Sequence, residues 1–333
     1  MNKPNLTASE IGMLWTQYIQ NSMSLQIMNY FYKTVEDSDI CIVVKSALDL
    51  TNNAKKQIAQ LFKQEAVPVP DGFTESDVNL HAPKLFTDHF MLSFIETMGK
   101  AGTVAYSVSQ AVSSRKDVRE LFTNYLHNIS TLYNLVVDTA LEKGMYVRPP
   151  IISKPNEVEY IEGKKYLSSG LNPFNKRTLN SIEISHLFEN TKANYIGSSI
   201  CTGFAQTTDS KEVAAYMKRG KAISDKHVQL FTETLSSSDI DAPVTWDNSV
   251  TDSTTRVFSD KLMMFFLSVL SATGQGNYST ASTASMRYDL VTDYQRISLE
   301  IALFAKDGVD IMLKHGWLEE PPQAPNRKEL MKK

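Results

Sequence analysis

The sequence predicts an all-α protein that consists of two tandem four-helix bundles produced by an internal duplication. Three observations predict this fold class. Apolar residues recur at three- and four-residue spacing in eight long segments, which is the pattern of amphipathic helices. The second half of the chain repeats the first half at a shift of 173 or 172 positions. Segments with the alternating pattern of a β-strand are nearly absent.

The duplication is visible in residues that recur in the same order. Glu10 and Glu183 lie 173 positions apart, and each stands shortly before a pair of large apolar residues. After a one-residue deletion the shift becomes 172 and pairs Phe86 with Phe258, Asp88 with Asp260, Met91 with Met263, Phe94 with Phe266, Tyr106 with Tyr278 and Asp138 with Asp310.

Each half contains four predicted helices. We place them at residues 7–34, 38–65, 83–113 and 115–143, and again at 180–207, 211–236, 255–285 and 287–315. The first helix of each half begins with a predicted capping box, formed by Thr7 with Glu10 and by Asn180 with Glu183. Helices of about 25 residues are about 37 Å long, which suits a bundle.

Local signals also mark the ends of the other helices. Asp37 and Ser210 are expected to cap the second helix of each half, because Asp and Ser side chains accept hydrogen bonds from the first free N–H groups. Gly144 and Gly316 suit the left-handed position that follows a helix, and the prolines beyond them prevent its continuation.

The connection between the second and third helices is long in both halves, at residues 67–80 and 241–254. It could cross the bundle, which makes the two helices parallel, or remain at one end, and the sequence favours neither. The predicted domain organisation is a first bundle at 1–148, a linker at 149–178, a second bundle at 179–325 and a basic tail at 326–333.

The composition argues against several classes of partner. A net charge of −3 provides no basic surface for nucleic acid. The longest apolar run, Leu262–Leu267, is six residues, far short of the roughly 20 that span a bilayer. The N-terminus has no apolar core of a secretory signal, and the two cysteines cannot form a disulfide framework. We therefore expect no nucleic-acid or membrane partner and a cytoplasmic location.

Four motifs carry a resemblance to a known family. They are FTESDVN at Phe73–Asn79, YVRPP at Tyr146–Pro150, FSDKLMMF at Phe258–Phe265 and GWLEEPPQAP at Gly316–Pro325. Through them nearly the full chain resembles the tandem members of a bacterial family, domain of unknown function 3231. The resemblance implies a pair of ferritin-like four-helix bundles, a source among endospore-forming bacteria, and no established activity.

Ferritin-like carboxylate proteins hold two metal ions with Glu residues and Glu-x-x-His pairs on facing helices. The segment from Glu183 to His186 has these letters, but it lies at the start of a helix, where Glu183 already fits the capping box. The first repeat has Met13 in the place of His186. We therefore predict a cap and a surface His here instead of a ligand pair.

A different set of residues is a candidate site for one Mn, Fe or Zn ion. If the long connection remains at one end, Glu183, His227, Asp260 and Asp310 lie toward the same end of the second bundle, and their side chains are suitable ligands. The equivalents in the first bundle are Glu10, Ala54, Asp88 and Asp138. Since the imidazole is missing there, a metal site is favoured less in the first bundle.

Each member of this set also has a structural interpretation. Asp88 and Asp260 can be N-caps or first-turn acids, which interact favourably with the helix dipole. Asp138 and Asp310 lie late in a helix, where an anion is disfavoured, so a Lys, another cation or a hydrogen-bond donor is expected beside them. His227 can be a polar-face residue or a core histidine with both ring nitrogens bonded.

The segment Leu262–Leu267 is apolar on every face, and such a helix must be covered all round. The third helices are therefore candidates for the contact between the bundles, or between copies of the chain in a homo-oligomer.

Three functions follow as hypotheses. The first is a non-enzymatic or weakly metal-binding bundle whose di-metal set has been lost or rearranged, since the Glu-x-x-His pairs are missing. The second is an iron- or manganese-dependent oxidoreductase of the ferritin-like class. The third, a spore-associated structural protein, comes from the family resemblance alone. Hydrolase, zincin and redox motifs are absent from the sequence, and no cofactor can be named.

Overall fold

A computed structural model of the chain describes residues 3–168, 176–243 and 249–332. The predicted linker at 149–178 and the connection at 241–254 thus lie partly outside the described residues. Within these ranges the eight long helices are α1 Ala8–Thr34, α2 Ser38–Gln64, α3 Asp88–Ala111, α4 Lys116–Glu142, α6 Ser181–Thr207, α7 Lys211–Ser236, α8 Asp260–Ala284 and α9 Tyr288–Lys314. Short helical turns form α5 (Lys165–Ser168) and α10 (Arg327–Leu330). The described chain contains no β-strand, so the predicted all-α tandem fold is confirmed.

The predicted helix ends are confirmed where the sequence carries local capping signals. Thr7 and Asn180 form complete capping boxes with Glu10 and Glu183. The side chains of Asp37 and Ser210 accept hydrogen bonds from the first turns of α2 and α7. The backbone angles φ of Gly144 and Gly316 are +65° and +67°, the left-handed conformation expected after a helix.

The described structure divides into two compact units. The first unit comprises residues 1–80, 95–139 and 317–333, and the second comprises 81–94 and 140–316. The boundaries given above for two bundles, a linker and a tail are not tested by this division and stay a prediction.

In the first unit, the start of α1 lies against the turn that follows α3. The Glu10 carboxylate accepts hydrogen bonds from the backbone N–H groups of Ser114 and Arg115 at 2.9 and 2.7 Å. Since α1 and α2 are joined by a three-residue turn, they are antiparallel, and α2 runs parallel to α3. The long connection between α2 and α3 therefore crosses the length of the bundle.

The second unit has the same connectivity. At the start of α6, Glu183 accepts from the backbone N–H of Met286, beyond the end of α8, at 3.0 Å. At the end of α6, the Thr208 hydroxyl donates to Asp260, the first residue of α8, at 2.6 Å. Thus α6 is antiparallel to α8, and α7 is parallel to α8. The sequence left this choice open, and the structure contains the crossover.

The third helices begin later than predicted, at Asp88 and Asp260 instead of residues 83 and 255. The hydroxyl groups of Thr87 and Ser259 accept hydrogen bonds from the backbone N–H groups of Phe90 and Leu262, so each helix begins directly after the hydroxyl residue. The apolar residues before these caps belong to extended chain, although their spacing resembles that of a helix.

One such extended segment, at residues 84–87, packs inside the second unit. Phe86 forms an isolated antiparallel bridge with Val250, and the backbone N–H of Thr87 donates to the carbonyl of Ser249 at 3.1 Å. Farther along α3, the Phe94 ring stacks on Phe266 of α8 with centroids 5.6 Å apart. The apolar run of α8 is therefore covered in part by residues of the first repeat.

None of the helices in the described part of the chain has the length and hydropathy of a membrane span.

Candidate functional site

The Glu183 carboxylate forms a fully buried ionic site at the start of α6. The two terminal guanidinium nitrogens of Arg177, Nη1 and Nη2, donate to it at 2.8 and 2.7 Å. The backbone N–H groups of Asn180, Met286 and Arg287 donate to the same carboxylate at 3.0–3.1 Å. Burial opposes ionisation, but the Arg177 side chain and these N–H groups outweigh it, so the pKa of Glu183 is lowered.

The Glu10 carboxylate forms the corresponding site in the first unit, and it is also fully buried. It accepts from the Thr7 backbone at 2.7 Å and from the backbone N–H groups of Ser114 and Arg115. Burial alone would raise the pKa of Glu10, but the hydrogen bonds from Thr7, Arg115 and Ser114 lower it to about 2. The Arg115 side chain does not reach this carboxylate but donates to Asp117 and Glu65.

Asp88 and Asp260 are acids in the first turn of their helices, which is the structural interpretation given for them from the sequence. Lys84, which lies four residues before Asp88, approaches its carboxylate to 2.7 Å. Asp260 accepts the Thr208 hydroxyl and lies 3.4 Å from the guanidinium of Arg256. Both carboxylates thus contact a cation near the start of their helix, where the dipole also favours a negative charge.

Asp138 and Asp310 lie on solvent-exposed faces of α4 and α9. Asp310 forms an ion pair of 2.7 Å with Lys306, one helical turn earlier. The Lys partner that the sequence predicted for a late-helix Asp is therefore present for Asp310. Neither side chain reaches the bundle interior, because the neighbouring apolar positions occupy the inward face of the helix.

His227 is the centre of a buried polar network in the second unit, and its side chain has no solvent exposure. Its Nδ1 atom lies 3.0 Å from the Tyr278 hydroxyl, and its Nε2 atom lies 3.0 Å from the Glu300 carboxylate. The Asn194 amide donates to Tyr278 at 2.8 Å, and Lys226 contacts Glu300 at 2.8 Å. The network thus links α6, α7, α8 and α9.

The chemistry of these groups fixes the direction of each hydrogen bond. An ionised carboxylate only accepts, so Nε2–H of His227 donates to Glu300 and Nδ1 accepts from the Tyr278 hydroxyl. Burial lowers the pKa of His227 despite the opposing effect of Glu300, and burial raises the pKa of Tyr278. A neutral imidazole and a neutral phenol therefore satisfy every hydrogen-bond partner in the network.

The first unit replaces this network with different residues. Ala54 occupies the position of His227, and Asn128 occupies that of Glu300. The Tyr125 hydroxyl donates to the Ala54 carbonyl at 3.3 Å, and Tyr106 donates to Asn21 at 3.1 Å. The sequence pattern predicts His227 as a candidate site residue but does not indicate Glu300. The simultaneous replacement of both residues between the repeats is the signal that could have linked them.

The structure does not bring Glu183, His227, Asp260 and Asp310 together. The crossover places Glu183 and Asp260 at opposite ends of α6, roughly 37 Å apart at 1.5 Å per residue. In residues 3–168, 176–243 and 249–332, no three His, Cys, Asp or Glu side chains are grouped as ligands of a metal ion. A metal role for Glu10, Asp88 and Asp138, or for the four residues of the second bundle, stays a prediction.

The Cys201 thiol is not an activated nucleophile. Cys201 is buried, and burial raises the pKa of its thiol to about 12, so the thiolate form is scarce at neutral pH. Cys41 is partly exposed on α2 and forms no disulfide.

The fold and these sites define an all-helical protein with two tandem repeats, in which buried polar residues join the helix ends and cores. A family model described as "Protein of unknown function (DUF3231)" matches residues 1–158 and 169–330, and the chain belongs to that family. No curated protein matches the sequence. The structure is similar to one described as a "putative spore coat protein" from Bacillus halodurans, with a TM-score of 0.41, 20% identity, and coverage of 45% of this chain and 98% of that chain.

Proposed function

We propose that this protein is a non-enzymatic helical-bundle protein in which the buried polar groups serve the fold. The His227 network carries this proposal. Both ring nitrogens of His227 are occupied by protein partners, and its neighbours Tyr278 and Glu300 are bonded in turn. A histidine that ligates a metal must offer one nitrogen to the ion, which would leave Tyr278 or Glu300 without its hydrogen bond.

The carboxylates support the same proposal. Glu183 and Glu10 each accept hydrogen bonds from the turn that follows the third helix of their repeat. They therefore hold the first helix against the turn before the fourth helix. A metal ion at either carboxylate would have to displace these backbone donors.

The crossover between α7 and α8 supports a ferritin-like origin, because one long crossover connection is the topology of ferritin-like folds. We propose that the di-metal residues of such a bundle were replaced in this chain by the structural network and the helix-end carboxylates. A spore-associated role, which the family resemblance implies, stays a prediction.

Metal titration tests this proposal. We expect Fe²⁺, Mn²⁺ and Zn²⁺ to bind the full chain no better than the His227→Ala variant, and we expect neither protein to turn over oxygen or peroxide. Tight binding of one ion per chain that is lost in His227→Ala, together with turnover, would support the oxidoreductase hypothesis instead. Folding of the variant can be checked by circular dichroism.

The contact between copies of the chain through the third helices stays a prediction, and we propose α3 as its more accessible surface. Within the second unit the apolar run of α8 is buried, whereas Val104 and Val108 of α3, and Val112 just beyond its end, are exposed at four-residue intervals. Such a stripe supports self-association through α3. Light scattering should detect a dimer that Val108→Lys weakens, and a monomer at high concentration would contradict this idea.

A further inference from the structure

A groove of about 310 Å³ lies between α2 and α4 in the first unit. Its lining is Ser46, Leu50, Asn53, Gln57, Tyr125, Asn128, Thr131, Leu132 and Leu135. None of these side chains is charged, although a fifth of the chain consists of charged residues. The groove follows α2 for about 17 Å, from residue 46 to residue 57, at 1.5 Å per residue.

Three carboxamide side chains of the groove are available to a ligand. Asn53, Gln57 and Asn128 have no hydrogen-bond partner within the part of the chain that the structure describes. Each carboxamide presents both a donor and an acceptor. The hydroxyl groups of Ser46 and Thr131 donate to carbonyls of their own helices, so their oxygens can still accept.

The second repeat closes the same seam with charged residues. Lys226 and Glu300 occupy the positions of Asn53 and Asn128, and they form an ion pair of 2.8 Å across α7 and α9. A second ion pair of 2.8 Å joins Arg219 to Asp307. The residues at those positions in the first unit are Ser46 and Leu135, which cannot form an ion pair.

The packing beneath the seam also differs between the repeats. In the second unit the rings of Tyr216 and Phe304 stack with centroids 4.2 Å apart. Gly308 permits this contact, because a Cβ atom there would clash with the Tyr216 hydroxyl. In the first unit Val136 occupies the position of Gly308. Val43 and Leu132 occupy the positions of Tyr216 and Phe304, so the first unit lacks the stacked aromatic pair that fills the seam of the second unit.

We propose that the groove between α2 and α4 binds a small uncharged molecule that carries hydroxyl or amide groups. The carboxamides of Asn53, Gln57 and Asn128 can pair with such groups as donors and acceptors at once. Leu50 and Leu135 provide an apolar surface for the carbon skeleton. Binding sites for small molecules combine these two features, and their volumes begin near 300 Å³. This site goes beyond the proposed function and does not depend on the absence of a metal.

Saturation-transfer NMR on the full chain tests the proposal with four probes. Sucrose and N-acetylglycinamide represent neutral hydroxyl and amide ligands, and glucose 6-phosphate and acetylglycinate are their charged counterparts. At least one neutral probe should bind, and it should bind at least tenfold more tightly than its charged counterpart. The two neutral probes also distinguish a saccharide from an amide ligand.

The double variant Asn53→Lys/Asn128→Glu transfers the ion pair of the second repeat into the groove. It should weaken binding of the neutral probe at least tenfold while circular dichroism stays unchanged. Gln57→Ala leaves the groove open but removes one amide, and it should weaken binding severalfold. The control Asn124→Lys changes an exposed amide of α4 outside the groove and should have no effect.

The proposal is overturned if neither neutral probe binds, if the charged probes bind equally well, or if the double variant binds as the wild type does. If the double variant fails to fold, the affinities of Gln57→Ala and Asn124→Lys for the neutral probe are compared instead. Equal affinities of these two variants would overturn the proposed site.

Discussion

Replacing Glu10 by Gln should destabilise the first unit by about 3 kcal/mol at pH 7. The Glu10 carboxylate is fully buried and accepts hydrogen bonds from Thr7, Ser114 and Arg115, which favour its ionised form. Its pKa falls from the ordinary value of 4.5 to about 2. One pKa unit corresponds to about 1.4 kcal/mol, which gives the predicted loss when the charge is removed.

The same shift predicts how the difference depends on pH. A carboxylate whose pKa is lowered by folding stabilises the folded state above its unfolded pKa, and this stabilisation is lost as the pH falls. For Glu10 the loss extends from about pH 4.5 down to about pH 2. The wild type and Glu10→Gln should therefore differ by about 3 kcal/mol at pH 7 and become similar near pH 2, because other acids titrate alike in both proteins.

Hydrogen exchange monitored by mass spectrometry is the appropriate assay, since it resolves α1 from the helices of the second unit. At neutral pH the most protected amides of α1 should exchange about 100-fold faster in Glu10→Gln, as about 3 kcal/mol requires. Urea unfolding followed by circular dichroism provides the pH series. The control is Glu120→Gln on α4, whose side chain is 63% exposed and whose ion pair with Lys116 should contribute less than about 1 kcal/mol.

Equal protection of α1 in wild type and Glu10→Gln would refute the reasoning, as would a difference that persists at pH 2. In the first case the hydrogen bonds at Glu10 would not favour the charge. In the second, the variant would act through packing and not through ionisation.

Three further predictions concern the second unit. Gly308→Ala should lower the stability of the second unit by about 1–3 kcal/mol, because the added Cβ meets Tyr216. In the control Gly276→Ala the added Cβ meets no atom within 4 Å, so this variant should not be destabilised. Thermal unfolding of both variants measures the difference. Burial lowers the pKa of His227 below 6.5, so the second unit should lose stability as the pH falls below 6.5. The amides of α7 should therefore exchange faster at low pH in the wild type, and this effect should be missing in His227→Ala. Phe86→Ala should cost about 3–5 kcal/mol, because this fully buried ring packs within the second unit, and faster exchange in α8 would reveal it.

The sequence predicts the fold best where the signals are local. The capping boxes at Glu10 and Glu183 and the left-handed glycines lie within a few residues of the helix ends that they mark. The sequence places the starts of α3 and α8 too early. Leu85 and Phe86 continue the helical spacing of the apolar residues in α3, but they lie in extended chain. Their burial depends on contacts with residues far away in the sequence.

The candidate site was harder to predict because it depends on topology. The length of the connection between the second and third helices does not reveal where it leads, so the set with Glu183 and Asp260 required a topology that the structure does not have. Glu300 was missed because it lies 73 residues from His227. The sequence indicates the groove of the first unit only when neutral residues such as Asn53 are compared with their charged equivalents in the second repeat.

The central claim is that the polar groups inside the bundles serve the fold and hold no resident metal. Elemental analysis of aerobically purified full-length protein tests it most directly. We predict far less than one iron, manganese or zinc ion per chain after dialysis. A stoichiometric ion that survives dialysis and disappears in His227→Ala would contradict the claim.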